Sequence, residues 1–145
     1  MKQYFFVFAL LLMAVGMPFT VVSCSSDNDD YVDVVDRDIV GKWELSGWTK
    51  DGAFTSYSRG YISFLSDKTL KGKGYLNQIE GHYTCHGNKI AIDDYVTTKI
   101  GYTNQEDYFF EENLKNVTRY SFTNKGHLRL YYSGNDYFDL IIKRD

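Results

Sequence analysis

Alternating apolar and polar positions dominate the chain from Ile39 onward. Six segments alternate or are rich in β-branched and aromatic residues, as half-buried strands are. They are Tyr61–Ser66, His82–His86, Lys89–Ile92, Arg119–Phe122, His127–Tyr132 and Tyr137–Lys143. Turn-forming residues such as Gly87 and Asn88 separate them. This spacing predicts a mostly β fold, namely a small antiparallel barrel or a strongly curved sheet.

One segment, between the strands Lys89–Ile92 and Arg119–Phe122, follows a helical period instead. Phe110, Leu114 and Val117 fall at i, i+4 and i+7, which places them on one face of a helix. Thr103 is positioned to cap that helix, with Glu106 reaching back to it. The pattern predicts one amphipathic helix over about residues 104–115, with its apolar stripe closing the barrel.

The first residues have the pattern of a targeting segment. The apolar run Tyr4–Val15 follows Lys2, and it is shorter than the about 20 residues that a spanning helix needs. The stretch VVSC, ending at Cys24, resembles the bacterial lipobox, where cleavage falls just before the cysteine. The resemblance implies a signal peptide over residues 1–23 and acyl chains such as palmitate on Cys24. A retained transmembrane anchor is the alternative.

An acidic segment, residues 24–38, follows the lipobox. Residues 25–38 contain six Asp and one Arg, whereas residues 39–145 contain fourteen basic and thirteen acidic residues. A like-charged polar run stays extended, so we interpret this segment as a tether. The remaining domain has no basic excess of the kind that nucleic acid binding requires, which predicts no nucleic-acid partner.

The tether also indicates a location. Its Ser- and Asp-rich sequence resembles the surface-export signal of Bacteroidetes lipoproteins, and Ser25 beside the cysteine argues against retention in the inner membrane. The expectation is an outer membrane lipoprotein that contacts the membrane through acyl chains on Cys24. Its domain would face either the periplasm or the cell surface.

Residues 39–145 form a single domain in which the order of motifs resembles the META domain family, the group that contains the lipoprotein HslJ. Ile39–Leu45 is similar to the family's L-x-G-x-W-x-L strand, and Gly74–Tyr83 is similar to its G-x-x-N-x-x-x-G-x-Y element. The run from Glu106 to Tyr120 matches E-x3-F-x3-L-x2-V-x2-Y. The motif positions are Gly41, Trp43, Asn77, Gly81, Tyr83, Glu106, Phe110, Leu114, Val117 and Tyr120.

The chain departs from this family at two positions. Many members have a cysteine before the motif asparagine, where this chain has Leu76, and a second before the helix, where Gly101 and Tyr102 stand. The disulfide that such a pair would form is therefore not expected. Bacterial lipocalin-like proteins, which share the G-x-W opening and a barrel, are the alternative family.

Residues capable of chemistry do not form a convincing catalytic or metal-binding pattern. In a strand, His82 and His86 would share a face about 13 Å apart, too far for one metal ion, and Cys85 would point the other way. We expect Cys85 to be a small buried apolar residue. Glu111 and Glu112 are expected on the solvated side of the helix. The sequence therefore predicts no metal, no cofactor, no catalytic residue and no enzymatic activity.

The 13 tyrosines are the remaining unusual feature. They are interpreted either as barrel core and half-exposed strand faces, or as a flat binding surface for protein or glycan. The candidates for such a surface are Tyr57, Tyr61, Tyr75, Tyr95, Tyr102, Tyr131, Tyr132 and Tyr137.

Two functions follow from these patterns as expectations. The first is a non-catalytic envelope lipoprotein module that binds protein or assists under stress. The alternative is a lipocalin-like carrier for a glycan or a small apolar ligand, which would need a lined pocket inside the barrel or at its mouth.

Overall fold

The computed structural model describes residues 39–101 and 104–143, which form nine strands and one helix. The predicted signal peptide, the tether and Cys24 lie outside the described residues. The elements are β1 (Gly41–Lys50), β2 (Ala53–Ser56), β3 (Tyr61–Phe64), β4 (Thr69–Lys73), β5 (Gln78–His86), β6 (Lys89–Thr97), α1 (Gln105–Leu114), β7 (Arg119–Phe122), β8 (Leu128–Ser133) and β9 (Asp136–Ile142).

Eight strands close into an antiparallel barrel. The order is β1-β3-β4-β5-β6-β7-β8-β9, and β9 pairs back onto β1 from Phe138 to Ile142. Strand β2 forms a hairpin with the second half of β1 and lies outside this ring. The predicted fold class, mostly β with one helix and a barrel, is confirmed.

The six predicted strand segments are all present. Strand β6 is longer than predicted because it continues beyond Ile92 to Thr97. Strand β2 was not predicted, because its four residues are mostly exposed and show no burial alternation. Burial alternates where one face of a strand lies on the core, and β2 has no such face.

Helix α1 spans Gln105–Leu114, close to the predicted 104–115. The prediction that Thr103 caps the helix is wrong. The N-cap is Asn104, whose side chain accepts a hydrogen bond of 3.0 Å from the backbone N–H of Glu106. Asparagine is at least as good a cap as threonine, so the adjacent residue takes this role. Thr103 itself lies outside the described residues.

A gap in the barrel wall explains the position of the helix. Strands β6 and β7 pair only at Lys89 and Arg119, so the rest of β6 has no neighbour in β7. Helix α1 packs into this region and across one end of the barrel. The Tyr95 hydroxyl on β6 donates to the carbonyl of Glu111 at 2.6 Å, and the Phe110 ring contacts Phe138 of β9 at 5.0 Å. Within residues 39–101 and 104–143, no helix is long and apolar enough to cross a membrane.

The barrel interior is filled by side chains. Its members are almost inaccessible to solvent, and they come from every strand of the ring and from the helix. The largest fully buried ones are Tyr83, Phe64, Phe110, Phe122, Phe138, Leu45, Ile62, Leu70, Ile79, Leu114, Leu128 and Leu130. At Gly72 the packing includes backbone, since a Cβ there would lie 2.5 Å from the carbonyl oxygen of Tyr61.

Candidate functional site

A large cleft lies at the barrel end that the helix covers. It has a volume of about 570 Å³ and is bounded by the end of β6, by residues 98–101 and by α1. Val96 and Ile100 present apolar side chains at its edge, with exposed fractions of 59% and 53%. Clefts of about 300–1,000 Å³ are typical of small-molecule sites. This volume identifies the cleft as the candidate site.

Asn77, a motif position, holds the cleft together. It is buried at the β4–β5 turn, and its carbonyl oxygen accepts hydrogen bonds from Ile100 N at 2.7 Å and from the Thr98 hydroxyl at 3.0 Å. Its NH₂ group donates to Glu111 Oε1 at 2.9 Å and to the carbonyl of Ile100 at 3.3 Å. One side chain therefore joins the β4–β5 turn, the segment after β6 and the helix.

Glu111 lies at the base of this cleft. Its exposed fraction is only 4%, so the prediction that it belongs to the solvated side of the helix is wrong. Glu112, the other residue of that prediction, is exposed. Glu111 Oε1 accepts from Asn77, while Oε2 has no hydrogen-bond partner among residues 39–101 and 104–143. Buried polar atoms are nearly always paired, which makes this oxygen unusual.

The helical period accounts for the burial of Glu111. Asp107, Phe110, Glu111 and Leu114 have the spacing i, i+3, i+4 and i+7, so they occupy one face, and all four are buried. Asp107 accepts a hydrogen bond from the Tyr57 hydroxyl. The sequence contained this spacing, but Asp107 and Glu111 are charged, so they were not counted as part of the buried helical face.

The other motif positions are mainly structural. Trp43 is buried and donates to the carbonyl of Ile39 at 2.9 Å, and Tyr83 is buried and donates to the carbonyl of Leu65 at 2.7 Å. Gly81 faces the backbone of β6 so closely that a Cβ would lie 3.0 Å from the Asp93 carbonyl oxygen. Gly41 opens β1 and Glu106 is an exposed residue of the first helical turn. The buried remainder are Phe110, Leu114, Val117 and Tyr120.

Three candidate tyrosines lie close to the helix. The Tyr57 ring contacts the Trp48 ring in a tilted arrangement at 4.9 Å, and Tyr132 contacts Phe109 at 5.6 Å. Tyr95 is half-buried and lines the cleft. These three rings contribute to the packing beneath and around α1, and only Tyr95 reaches the candidate site.

Two further candidates form part of an aromatic and cationic row on β7, β8 and β9. The rings of Tyr131 and Tyr137 lie 5.5 Å apart, with the Arg119 guanidinium 3.6 Å from the first and the Arg129 guanidinium 4.4 Å from the second. Such cation–π pairs stabilise a surface by about 0.5–1 kcal/mol each where they are exposed.

The remaining candidates lie apart from these groups. Tyr61 is covered by the Lys42 ammonium at 4.3 Å, and Tyr75 by the Arg59 guanidinium at 4.6 Å. Tyr102 lies outside the described residues. The structure therefore distributes the candidate tyrosines over several regions of the barrel.

The histidines and the cysteine of β5 lie away from the cleft floor. His82 is exposed and its Nδ1 lies 3.5 Å from Asp94, and His86 is also exposed. Cys85 is half-buried against the core, so the expectation of a small buried apolar residue is met only in part. In the part of the chain that the structure describes, no group of three His, Cys, Asp or Glu side chains is arranged to hold a metal ion.

A polar cluster that the sequence did not indicate lies on the outer face of β9. Asp139 is buried, and its Oδ2 accepts from the Ser46 hydroxyl and lies 2.8 Å from His127 Nδ1. Arg129 Nε lies 3.7 Å from Oδ1 of the same carboxylate. These residues come from β1, β8 and β9 and from the β7–β8 turn, so only the barrel closure brings them together.

Tyr132, whose ring contacts Phe109 of the helix, makes the free energy of unfolding depend on pH. Its pKa is raised to about 12, chiefly by burial and further by the carboxylates of Asp136 and Asp51, and its hydroxyl donates to the Thr49 carbonyl. The unfolded phenol has a pKa of about 10, so between pH 10 and about 12 the unfolded chain loses this proton first. The contribution of Tyr132 to stability is complete below pH 10 and is lost as the pH rises through this window.

We therefore expect Tyr132→Phe to flatten the alkaline decline of the unfolding free energy, measured by urea titration between pH 10 and about 12. Tyr75→Phe, at an exposed ring, is the matched control and should leave the decline unchanged. An identical decline in wild type and Tyr132→Phe would contradict the assignment.

Comparison with known proteins gives one family and a set of related folds. A family model described as META domain matches residues 37–144. No curated protein sequence matches the chain. An NMR structure of a protein from Burkholderia xenovorans is similar with a TM-score of 0.62 and 14% identity, over 72% of this chain and 83% of that one. A crystal structure of a DUF4847 family protein from Bacteroides vulgatus ATCC 8482 has a TM-score of 0.53 and 17% identity, over 72% and 94%. At these identities the two structures support the fold alone.

Proposed function

This chain belongs to the META domain family, and from that premise we propose that it is a non-catalytic binding module of the bacterial envelope. A lipid on Cys24 anchors it to the outer membrane, residues 24–38 hold the domain away from the bilayer, and the cleft beside α1 binds a small ligand or a short segment of a partner. The domain faces the periplasm or the cell surface.

The observation that supports binding in the cleft beside α1 is that the barrel interior is filled whereas the cleft is open. The interior is occupied by fully buried side chains such as Tyr83 and Phe138, which leave no room for a ligand at the centre of the barrel, where lipocalins bind theirs. The cleft is open, has a volume of about 570 Å³ and exposes Val96 and Ile100 at its edge. A carrier of a glycan or small apolar ligand would therefore also have to bind at this mouth.

The arrangement of reactive groups supports a non-catalytic role. Hydrolytic triads need a serine that hydrogen-bonds to its histidine base. Ser46 and His127 instead both contact the same oxygen of Asp139. Among the described residues that line the cleft, Glu111 is the one buried carboxylate, whereas general acid–base hydrolysis commonly uses two carboxyls that face each other across a substrate.

Photo-crosslinking in intact cells tests the use of the cleft. A photoreactive amino acid replaces Ile100 at the cleft edge in the full chain, and the control position is Thr84, an exposed residue near the far end of β5. We expect reproducible adducts at position 100 that are absent at position 84. Equal labelling at both positions would contradict the proposal.

The lipid anchor has a separate test with a matched control. Cys24→Ala is expected to abolish incorporation of a palmitate analogue and recovery of the chain in the outer-membrane fraction, because acyl chains provide about 0.8 kcal/mol of membrane affinity per buried methylene. Cys85→Ala should keep both. Mass spectrometry that finds an intact first segment, or an unmodified thiol at residue 24, would overturn the anchor.

A further inference from the structure

We propose that the cleft binds a zwitterionic aliphatic ligand, either a free α-amino acid or a short peptide of such residues. The ligand's ammonium group contacts Glu111, its carboxylate lies between Lys99 and Lys115, and its side chain packs on Val96 and Ile100. This inference rests on the proposed function, since it takes the cleft to be the binding site.

The cleft floor requires a donor that residues 39–101 and 104–143 do not provide. Glu111 is 96% buried, and its Oε2 has no hydrogen-bond partner among the described residues. The Asn77 NH₂ group already donates to Glu111 Oε1 and to the Ile100 carbonyl. Because a buried carboxylate is costly unless it is paired and hydrogen-bonded, a cationic donor on a ligand would stabilise this group.

The cleft rim has the opposite charge. Lys99 and Lys115 line it and are exposed, and neither forms an ion pair within 4.0 Å with a residue in the described ranges. The exposed Glu112 also lies on this rim, so the rim is positive by one charge. A negative floor below a positive rim favours a ligand with separated positive and negative groups.

The cleft walls favour an apolar side chain. Val96 and Ile100 are more than half exposed, and Tyr108 offers a half-buried ring on the helix side. Covering these surfaces removes apolar area from water, which contributes about 25 cal/mol per Å². Leucine is accordingly the simplest probe.

Ligands with only some of these groups leave charged or apolar groups of the cleft without a matching contact. An aliphatic acid gives no donor to Glu111, and an aliphatic amine leaves Lys99 and Lys115 without a counter-charge. A sugar can donate hydroxyls to Glu111, but it is uncharged at the rim and covers the aliphatic walls poorly. The zwitterion is the class that satisfies floor, rim and walls together.

Calorimetric titration of the full chain in detergent tests this with leucine and leucyl-leucine as probes. The comparison ligands are leucinamide, which lacks the carboxylate, 4-methylpentanoate, which lacks the ammonium group, and glucose. We expect saturable binding of leucine or of the dipeptide, and about tenfold or weaker affinity for the other three, equivalent to about 1.4 kcal/mol. The relative affinities of the two probes distinguish a free amino acid from a peptide.

Three variants connect the binding to the named groups. Glu111→Gln keeps the shape and an acceptor for Asn77 but removes the charge, and it should weaken binding at least tenfold. Lys115→Gln should weaken binding of leucine but not of leucinamide. Lys89→Gln, at the other end of β6, should have no effect. Thermal unfolding of each variant verifies that it is folded.

The outcomes separate this inference from the proposed function. If none of the zwitterions binds, or if Glu111→Gln binds leucine as the wild type does, the zwitterion inference is wrong. Adducts at position 100 in cells would then still support a binding cleft for a different ligand, and preferential binding of glucose would identify that ligand as a glycan. If position 100 labels no better than position 84 and no probe binds, both proposals fail.

Discussion

Replacing Asn77 by alanine is expected to lower the free energy of unfolding by about 3 kcal/mol. The substitution removes the hydrogen bonds of Asn77 to Thr98, Ile100 and Glu111, and it leaves Ile100 N and Glu111 Oε1 without the partners that they have in the fold. Each buried polar atom that loses its partner costs about 1–3 kcal/mol, more when it is charged. For a domain of this size, urea titration and a fall of about 15 °C in Tm would report the loss.

The matched control is Asn116→Ala, which removes the same side chain from an exposed position after the helix. It should change stability by no more than about 0.5 kcal/mol. Equal stability of the two variants would show that the Asn77 hydrogen bonds do not hold the turn, the segment after β6 and the helix together. The Asn77 variant should also lose cleft binding, because Glu111 and Ile100 lose their common anchor.

Phe110→Ala is expected to have the largest effect on stability, about 3–5 kcal/mol. The ring is 1% exposed, contacts Phe138 edge-to-face at 5.0 Å and lies beside Gly60. Its removal loses apolar burial and leaves a cavity beneath the helix that closes the barrel end. Chemical unfolding followed by tryptophan fluorescence measures the change, since the Trp48 ring contacts the adjacent Phe109 ring at 5.0 Å.

Phe54→Ala provides the comparison for this loss, because Phe54 is the same residue type with 54% of its surface exposed. It should cost less than about 1 kcal/mol. If both phenylalanine variants lost the same free energy, the helix would not contribute to the barrel core in the way its contacts indicate.

The cleft could be predicted only in part. The sequence located α1 and identified Asn77 as a motif position, but it placed Glu111 in solvent. The missing observation was that Asp107 and Glu111 share the helical face of Phe110 and Leu114. Carboxylates are not expected on a core-facing helical stripe, because burying them is costly. The Asn77 amide that donates a hydrogen bond to Glu111 lies 34 residues away in sequence.

The tyrosines show the same limit. Alternation along β8 and β9 did not reveal that Tyr131 and Tyr137 would lie side by side, because cross-strand neighbours depend on register. The local bulge between Tyr131 and Ser133 further changes which side chains share a face. By contrast, the six predicted strand segments follow from the local alternation of apolar and polar residues along the chain.

The sequence by itself determined most of the elements and the family. Alternation with period two defined six of the nine strands of the described residues, the spacing of Phe110, Leu114 and Val117 defined the helix, and the motif order identified the META domain, because each of these is a local property of the chain. The tertiary structure alone decided the pairing of β9 with β1, the gap between β6 and β7, and the burial of Glu111. Those features depend on contacts between residues far apart in sequence, and such contacts become fixed only when the barrel closes.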